Sequence, residues 1–151
     1  MKARLIQNGE QKTYALIFET GDEVATRLRE FARRHHLGGS HFTAIGALSE
    51  ATLGYFDWET KEYLKIPIQE QVEVVSLIGD VALKDGEPSV HAHLVVAKRD
   101  GSAWGGHLLE ARVRPTLELI LEESPRHLCK TPDPESGLAL INVDASDGPP
   151  A

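Results

Sequence analysis

The sequence predicts a single α+β domain in which one main α-helix packs on a mostly antiparallel β-sheet. One stretch near residue 22 has helical periodicity, and segments with strand character occupy most of the remaining chain. With 151 residues, of which 41% are hydrophobic and 26% charged, the chain is long enough to bury one core. We expect this domain to span residues 1–143 and residues 144–151 to form a disordered C-terminal tail.

The N-terminal part predicts a β-hairpin followed by the helix. Residues 3–7 and 13–19 have strand composition and are separated by an Asn8-Gly9 turn. Thr20 or Asp22 can cap the start of the helix, and the Gly38-Gly39 pair can end it. One helical face carries residues at the expected spacing: Val24, Leu28, Phe31 and His35. The helix is therefore predicted to cover one face of a sheet.

The rest of the chain predicts a run of strands separated by turn-forming residues. We expect strands at 42–48, 51–58, 62–67, 72–83, 90–98, 103–113 and 116–122, with a short edge strand near 138–142. The segment at 85–88 is a strong break, and residues 99–101 form a tight turn. Prolines at 125, 132 and 134 indicate an irregular segment after residue 122.

Three histidines near the second of these turns form a candidate metal site. Side chains alternate between faces along a strand, so His91 and His93 project from the same face. His107 lies directly across from His93 only if residues 99–101 form a three-residue loop with Gly101 in the left-handed conformation. A two-residue loop would turn His107 to the other face, unless a bulge at residues 105–106 restored the register. The metal hypothesis therefore predicts the loop.

Zinc is the metal that the three histidines favour. Three neutral imidazoles bind zinc at about 2.0 to 2.1 Å and leave a fourth tetrahedral position open for water, a substrate or a partner's side chain. Copper and nickel also accept imidazole ligands, so zinc is preferred on availability rather than affinity. The alternative is that His91 and His93 lie on a solvated sheet face without metal.

Charge and cysteine content limit the other function classes. The net charge of −7 argues against broad attraction to nucleic-acid phosphates, and the basic groups are short: one in the helix at 27–36, and Arg112 with Arg114. The single cysteine, Cys129, cannot form an internal disulfide. The sequence contains no apolar run of the roughly 20 residues that a bilayer requires, so we expect a cytoplasmic protein with no membrane contact.

Several motifs resemble the plant and prokaryote conserved domain (PPC or PCC), which is attached to AT-hooks in plant nuclear proteins and is free-standing in bacteria and archaea. They are FTAIGAL at 42–48, LGYFD at 53–57, EVVSLIG at 73–79, and above all HAHL at 91–94 followed by DG at 100–101 and GGHL at 105–108. The similarity extends over residues 14–122. It implies a trimeric α+β domain whose metal site maps onto His91, His93 and His107. The AT-hook core is missing, because Val113 stands where the hook of RGRP type requires glycine.

Three functions follow from these observations. The first is a homotrimeric metal-binding module that acts through protein or nucleic-acid partners, and the resemblance suggests that residues 72–77 contact other proteins. The second is a zinc metalloenzyme that activates a bound water. Such an enzyme needs a general acid or base near the metal, and the sequence does not identify one. Simple alternation points Glu110 away from His107, and the other candidates cannot be ranked: Glu50, Asp57 and His41. The third is direct DNA binding, which the acidic balance disfavours.

Overall fold

The predicted α+β architecture is confirmed by a computed structural model, which describes residues 1–146. In chain order, the first elements are β1 (Lys2–Asn8), β2 (Lys12–Glu19), α1 (Val24–His35), β3 (Gly39–Asp57) and β4 (Glu62–Ile68). They are followed by β5 (Val72–Lys84), β6 (Glu87–Ala97), β7 (Ala103–Glu123), β8 (Cys129–Pro132), β9 (Ala139–Asn142) and a single 3-10 turn at Asp144–Ser146.

The nine strands within residues 1–146 belong to one sheet, in which the long strand β7 pairs with three others. This strand pairs antiparallel with β2 through its C-terminal half, with β3 along most of its length and with β6 through its N-terminal end. Because β3 also pairs with β5 and β5 with β6, these four strands form a closed circuit of hydrogen-bonded neighbours. The circuit brings the β6–β7 hairpin against the end of β3 and the β3–β4 hairpin.

The helix packs against β6 and β7 and buries three of the four residues of the face that its periodicity predicts. Val24, Leu28 and Phe31 are buried, as are the strand residues Phe18 and Phe42. The fourth residue, His35, is exposed, although its ring lies 4.3 Å from the Phe31 ring and partial desolvation lowers the pKa of this imidazole. Within residues 1–146, the structure has no helix that is long and apolar enough to span a bilayer.

The helix caps differ from those expected. Glu23, rather than Thr20 or Asp22, occupies the N-cap, and its carboxylate accepts hydrogen bonds from the amides of residues 25 and 26. Asp22 instead accepts from the Glu19 amide and shapes the turn before the helix. At the other end His36 adopts the left-handed conformation with φ 54°, so the helix ends two residues before the glycine pair. A polar residue tolerates this conformation better than a β-branched one.

Two predicted strand breaks are absent. Residues 42–48 and 51–57 lie in the single strand β3, with Trp58 in the turn that follows, and residues 103–113 and 116–122 lie in β7. The pairing of these two strands shifts register near Leu48 and Glu50, opposite Val113 and Arg112. Such bulges let a strand bend without ending. The turn-like residues at these positions instead suggested that each strand would end there.

The C-terminal segment contains more structure than its prolines indicate. The predicted edge strand is present as β9, and it pairs with β8, a strand that the sequence analysis missed. Strand β8 runs parallel to the end of β5 through Leu83 and Cys129. The domain boundary at residue 143 and the disordered tail stay predictions: residues 144–146 form the 3-10 turn, and residues 147–151 lie outside the described residues.

Candidate metal centre

The β6–β7 hairpin has the loop and the register that the histidine spacing requires. The Gly101 amide donates to the Lys98 carbonyl at 2.9 Å, and the Lys98 amide donates to the Ser102 carbonyl at 2.9 Å. Gly101 has φ 81°, the left-handed conformation expected at the third loop position. As a result His93 and His107 are directly opposed in the ladder.

The three predicted histidines come together on one face of this hairpin. Each of His91, His93 and His107 offers a ring nitrogen, and these nitrogens all lie within 4.8 Å of one another. The ring centroids are 5.2 to 5.4 Å apart. In tetrahedral zinc with bonds of about 2.1 Å, the nitrogens would lie about 3.4 Å apart. Side-chain rotations that shorten these separations by at most about 1.4 Å would therefore close the site around an ion.

Partial desolvation prepares two imidazoles of the cluster to act as ligands, although only His107 is half-buried and the other two histidines are exposed. Desolvation, and next the neighbouring His91 and His93, lower the pKa of His107 to about 4. Desolvation also lowers the pKa of His93, with a smaller contribution from His91. Metal coordination requires the neutral imidazole, so these two rings need not lose a proton at neutral pH. The Nδ1 atom of His107 is buried without a hydrogen-bond partner, and such an atom fits a site where an ion supplies the missing contact.

Three further residues surround the cluster, and the sequence analysis did not identify them. Asp80 on β5 is directly across from His91, and Lys130 on β8 reaches Asp80. Tyr63 on β4 packs its ring 4.7 Å from the His107 ring, and burial raises the pKa of its hydroxyl. An acidic residue in the middle of the apolar run 74–83 could have pointed to Asp80. Lys130 gave no such indication, because β8 itself was not predicted.

The candidate acids and bases are divided between different places. His41 lines the same depression as His91 and His93. Glu50 and Glu110 line a separate cleft beside the start of the helix, where Glu50 pairs with Arg112 at 3.2 Å. Asp57 accepts hydrogen bonds from the amides of residues 59 and 60 and shapes the β3–β4 turn. His41 is thus the candidate that shares a surface with the three-histidine cluster.

Comparison with proteins of known structure shows close relatives of this fold. A plant- and prokaryote-conserved (PPC) protein from Pyrococcus horikoshii is 35% identical with a TM-score of 0.82, and the match covers 93% of this chain and 94% of that one. A metal-containing protein from Archaeoglobus fulgidus is 31% identical with a TM-score of 0.81, and the match covers 93% and 96% of the two chains.

A curated relative and a family model complete the comparison. The bifunctional protein GlmU of a Synechococcus strain is 33% identical over 142 residues, which is 92% of this chain. The chain spans only 22% of that protein's length, so the similarity concerns one part of it. The model of the Plants and Prokaryotes Conserved (PCC) domain matches residues 6–125, from β1 to the start of the C-terminal segment. The resemblance inferred from the sequence is confirmed, and the chain belongs to the Plants and Prokaryotes Conserved domain family.

Proposed function

We propose that this protein is a metal-binding PCC-domain module that holds one divalent ion, preferentially zinc, between His91, His93 and His107. The observation that carries the proposal is the convergence of three ring nitrogens within 4.8 Å of one another. Two of these imidazoles have lowered pKa values, and one buried nitrogen lacks any other partner. The relative from Archaeoglobus fulgidus is a metal-containing protein, which agrees with this proposal.

The module is further proposed to act as a homotrimer, with its subunits meeting on an apolar face of the sheet. This face carries six exposed β-branched residues on five neighbouring strands: Ile17, Ile45, Val75, Ile78, Val95 and Ile120. Exposed apolar patches of this kind favour protein–protein contact. Ile78 lies directly across from His93, so the face is continuous with the histidine cluster. A neighbouring subunit on this face could shield the ion's open position.

Protein partners fit the surface charges better than DNA. Both candidate basic groups are partly neutralised, because Arg27 and Arg33 in the helix pair with acidic side chains and Arg112 pairs with Glu50. Together with the net charge of −7, this pairing weakens the attraction of these groups to phosphates. We therefore propose a regulatory interaction module of the cytoplasm. A salt-dependent gel shift at physiological ionic strength would contradict this preference.

Zinc titration by calorimetry tests the metal site. Protein without an affinity tag, stripped with chelator, should bind one zinc ion per chain, and His107→Ala should abolish this binding because two imidazoles make a weak site. His36→Ala is the matched control, since His36 caps the helix away from the cluster and its loss should leave the stoichiometry unchanged. Unchanged binding in His107→Ala would refute the assignment.

Light scattering tests the assembly. The protein should behave as a trimer, and Ile45→Lys should dissociate it because a charge would be buried at the contact. Leu140→Lys on β9 is the control, since Leu140 is also an exposed apolar residue but lies outside the proposed face. If subunits cover the histidine cluster, chelator should also weaken the trimer. A wild-type monomer under all conditions would contradict the assembly proposal.

An enzymatic role is the second candidate, and the position of His41 favours it. His41 lines the same depression as two of the three histidines, where a bound metal would leave a coordination position open. Because zinc lowers the pKa of bound water, such a site can serve hydrolysis. Metal-dependent ester hydrolysis that His41→Ala removes, with metal content retained, would favour the enzyme over the binding module.

A further inference from the structure

An ion pair between a buried lysine and a partly exposed aspartate lies beside His91. The Lys130 side chain is only 4% exposed, and its Nζ lies 2.8 Å from Oδ1 of Asp80. The other carboxylate oxygen, Oδ2, lies 3.4 Å from Nδ1 of His91. The ladder places Asp80 opposite His91. Lysine, carboxylate and imidazole therefore form a chain that ends at a candidate metal ligand.

The charges in this chain restrict where the Asp80 carboxylate can lie. A buried ammonium group is costly unless an opposite charge accompanies it, so Lys130 and Asp80 stabilise each other in place. Oδ1 has no aligned hydrogen bond, so its contact with Lys130 is mainly an ion pair. This ion pair holds the Asp80 carboxylate beside the imidazole of His91.

We propose that Asp80 is a positioning residue for the metal site and that Lys130 holds it in place. An imidazole whose Nδ1–H donates to a carboxylate presents Nε2 as the ligand atom and becomes a stronger base. The present separation of 3.4 Å is longer than a formed N–H···O bond of about 2.9 Å, and a small rotation of His91 would close it. This inference rests on the proposed metal site.

The lysine of this arrangement comes from the C-terminal segment of the chain. The family match ends at residue 125, whereas Lys130 lies on β8. Strand β8 pairs in parallel with β5 at Lys84 and Lys130, four residues beyond Asp80. A segment outside the matched domain therefore reaches the surroundings of the metal ligands.

Cobalt(II), a spectroscopic substitute for zinc, provides the test. Chelator-stripped wild type and variants are titrated with Co²⁺ while the visible absorption band and the dissociation constant are recorded. We expect Asp80→Ala to weaken Co²⁺ binding by about 10- to 100-fold and to shift the band, since ligand-orienting partners typically contribute this much. Asp80→Asn should lose less, because its amide oxygen can still accept from Nδ1–H. Lys130→Met should also weaken binding, because it releases the carboxylate.

Glu122→Ala is the matched control. Glu122 also lies 3.4 Å from a histidine, His41, but that histidine is outside the three-histidine cluster. Its removal should leave the Co²⁺ dissociation constant and the band unchanged. Urea unfolding of the metal-free variants separates a loss of fold stability from a loss of ligand orientation.

The outcomes are distinguishable. If wild type binds Co²⁺ and Asp80→Ala binds it within threefold with an unchanged band, the positioning role is overturned while the metal site stands. If Asp80→Ala does not fold, Asp80→Asn and Lys130→Met decide, and unchanged affinity in both overturns the role. If wild type binds neither Co²⁺ nor Zn²⁺, the proposed function fails and this inference fails with it.

Discussion

Replacing Glu123 by alanine should destabilise the fold more than any neighbouring acidic substitution. Its carboxylate is buried at the end of β7 and accepts hydrogen bonds from the amides of Gly38 at 3.0 Å and Gly39 at 3.2 Å. It also accepts a short hydrogen bond from the Ser40 hydroxyl. One side chain thus joins the segment after the helix to the central strand.

The magnitude follows from the donors that would be left without a partner. Each buried donor that loses its acceptor costs about 1 to 3 kcal/mol, so three donors predict a loss of about 3 to 9 kcal/mol in the free energy of unfolding. Domains of this size are stable by about 5 to 15 kcal/mol, so the variant should fold only marginally. Glu123→Gln keeps one acceptor oxygen and should lose less.

Urea unfolding followed by circular dichroism measures this loss. With a slope of about 2 kcal/mol per molar urea, the midpoint of Glu123→Ala should fall by at least about 1.5 M. The control is Glu122→Ala, whose exposed side chain contacts Gln11 and His41 and should change stability by less than about 1 kcal/mol. Equal midpoints for the two alanine variants would refute the reasoning.

Two further predictions concern turns near the ends of strands. Gly101→Ala should lower the free energy of unfolding by about 1 to 2 kcal/mol, because φ is 81° at this residue. Gly9→Ala in the first hairpin should lower it less, and equal losses of stability in urea unfolding would contradict this prediction. The pKa of Asp22 in the folded protein is about 2. Burial raises this pKa, but the hydrogen bond from the Glu19 amide and the ion pairs, including the one with Arg27, lower it by more. Its contribution of about 2 kcal/mol is therefore present above pH 4 and is lost as pH falls from about 4 to 2. Asp22→Asn should abolish that part of the pH dependence in urea unfolding, and an unchanged pH profile would refute it.

The cluster of histidines could be predicted because it depends on local rules. Alternation puts His91 and His93 on one face, and a three-residue loop with glycine at its third position sets the register of His107. The helical face was predictable for the same reason, since a period of 3.6 residues is visible within twelve residues.

The surroundings of the cluster could not be predicted, because they depend on pairings between distant segments. Asp80 meets His91 through the β5–β6 register, and Lys130 arrives from a short strand among prolines. Whether turn-like residues end a strand or bend it depends on the neighbouring strand, which is why β3 and β7 were each predicted as two strands. The helix cap was missed because a glutamate, longer than the usual capping residues, occupies it.

X-ray diffraction at the zinc absorption edge, on crystals of tag-free protein grown with Zn²⁺, would locate the metal itself. We expect one anomalous peak per chain, bonded to nitrogens of His91, His93 and His107 at about 2.0 to 2.1 Å. An anomalous peak bound by other residues, or three histidine rings that remain apart without a peak between them, would contradict this expectation.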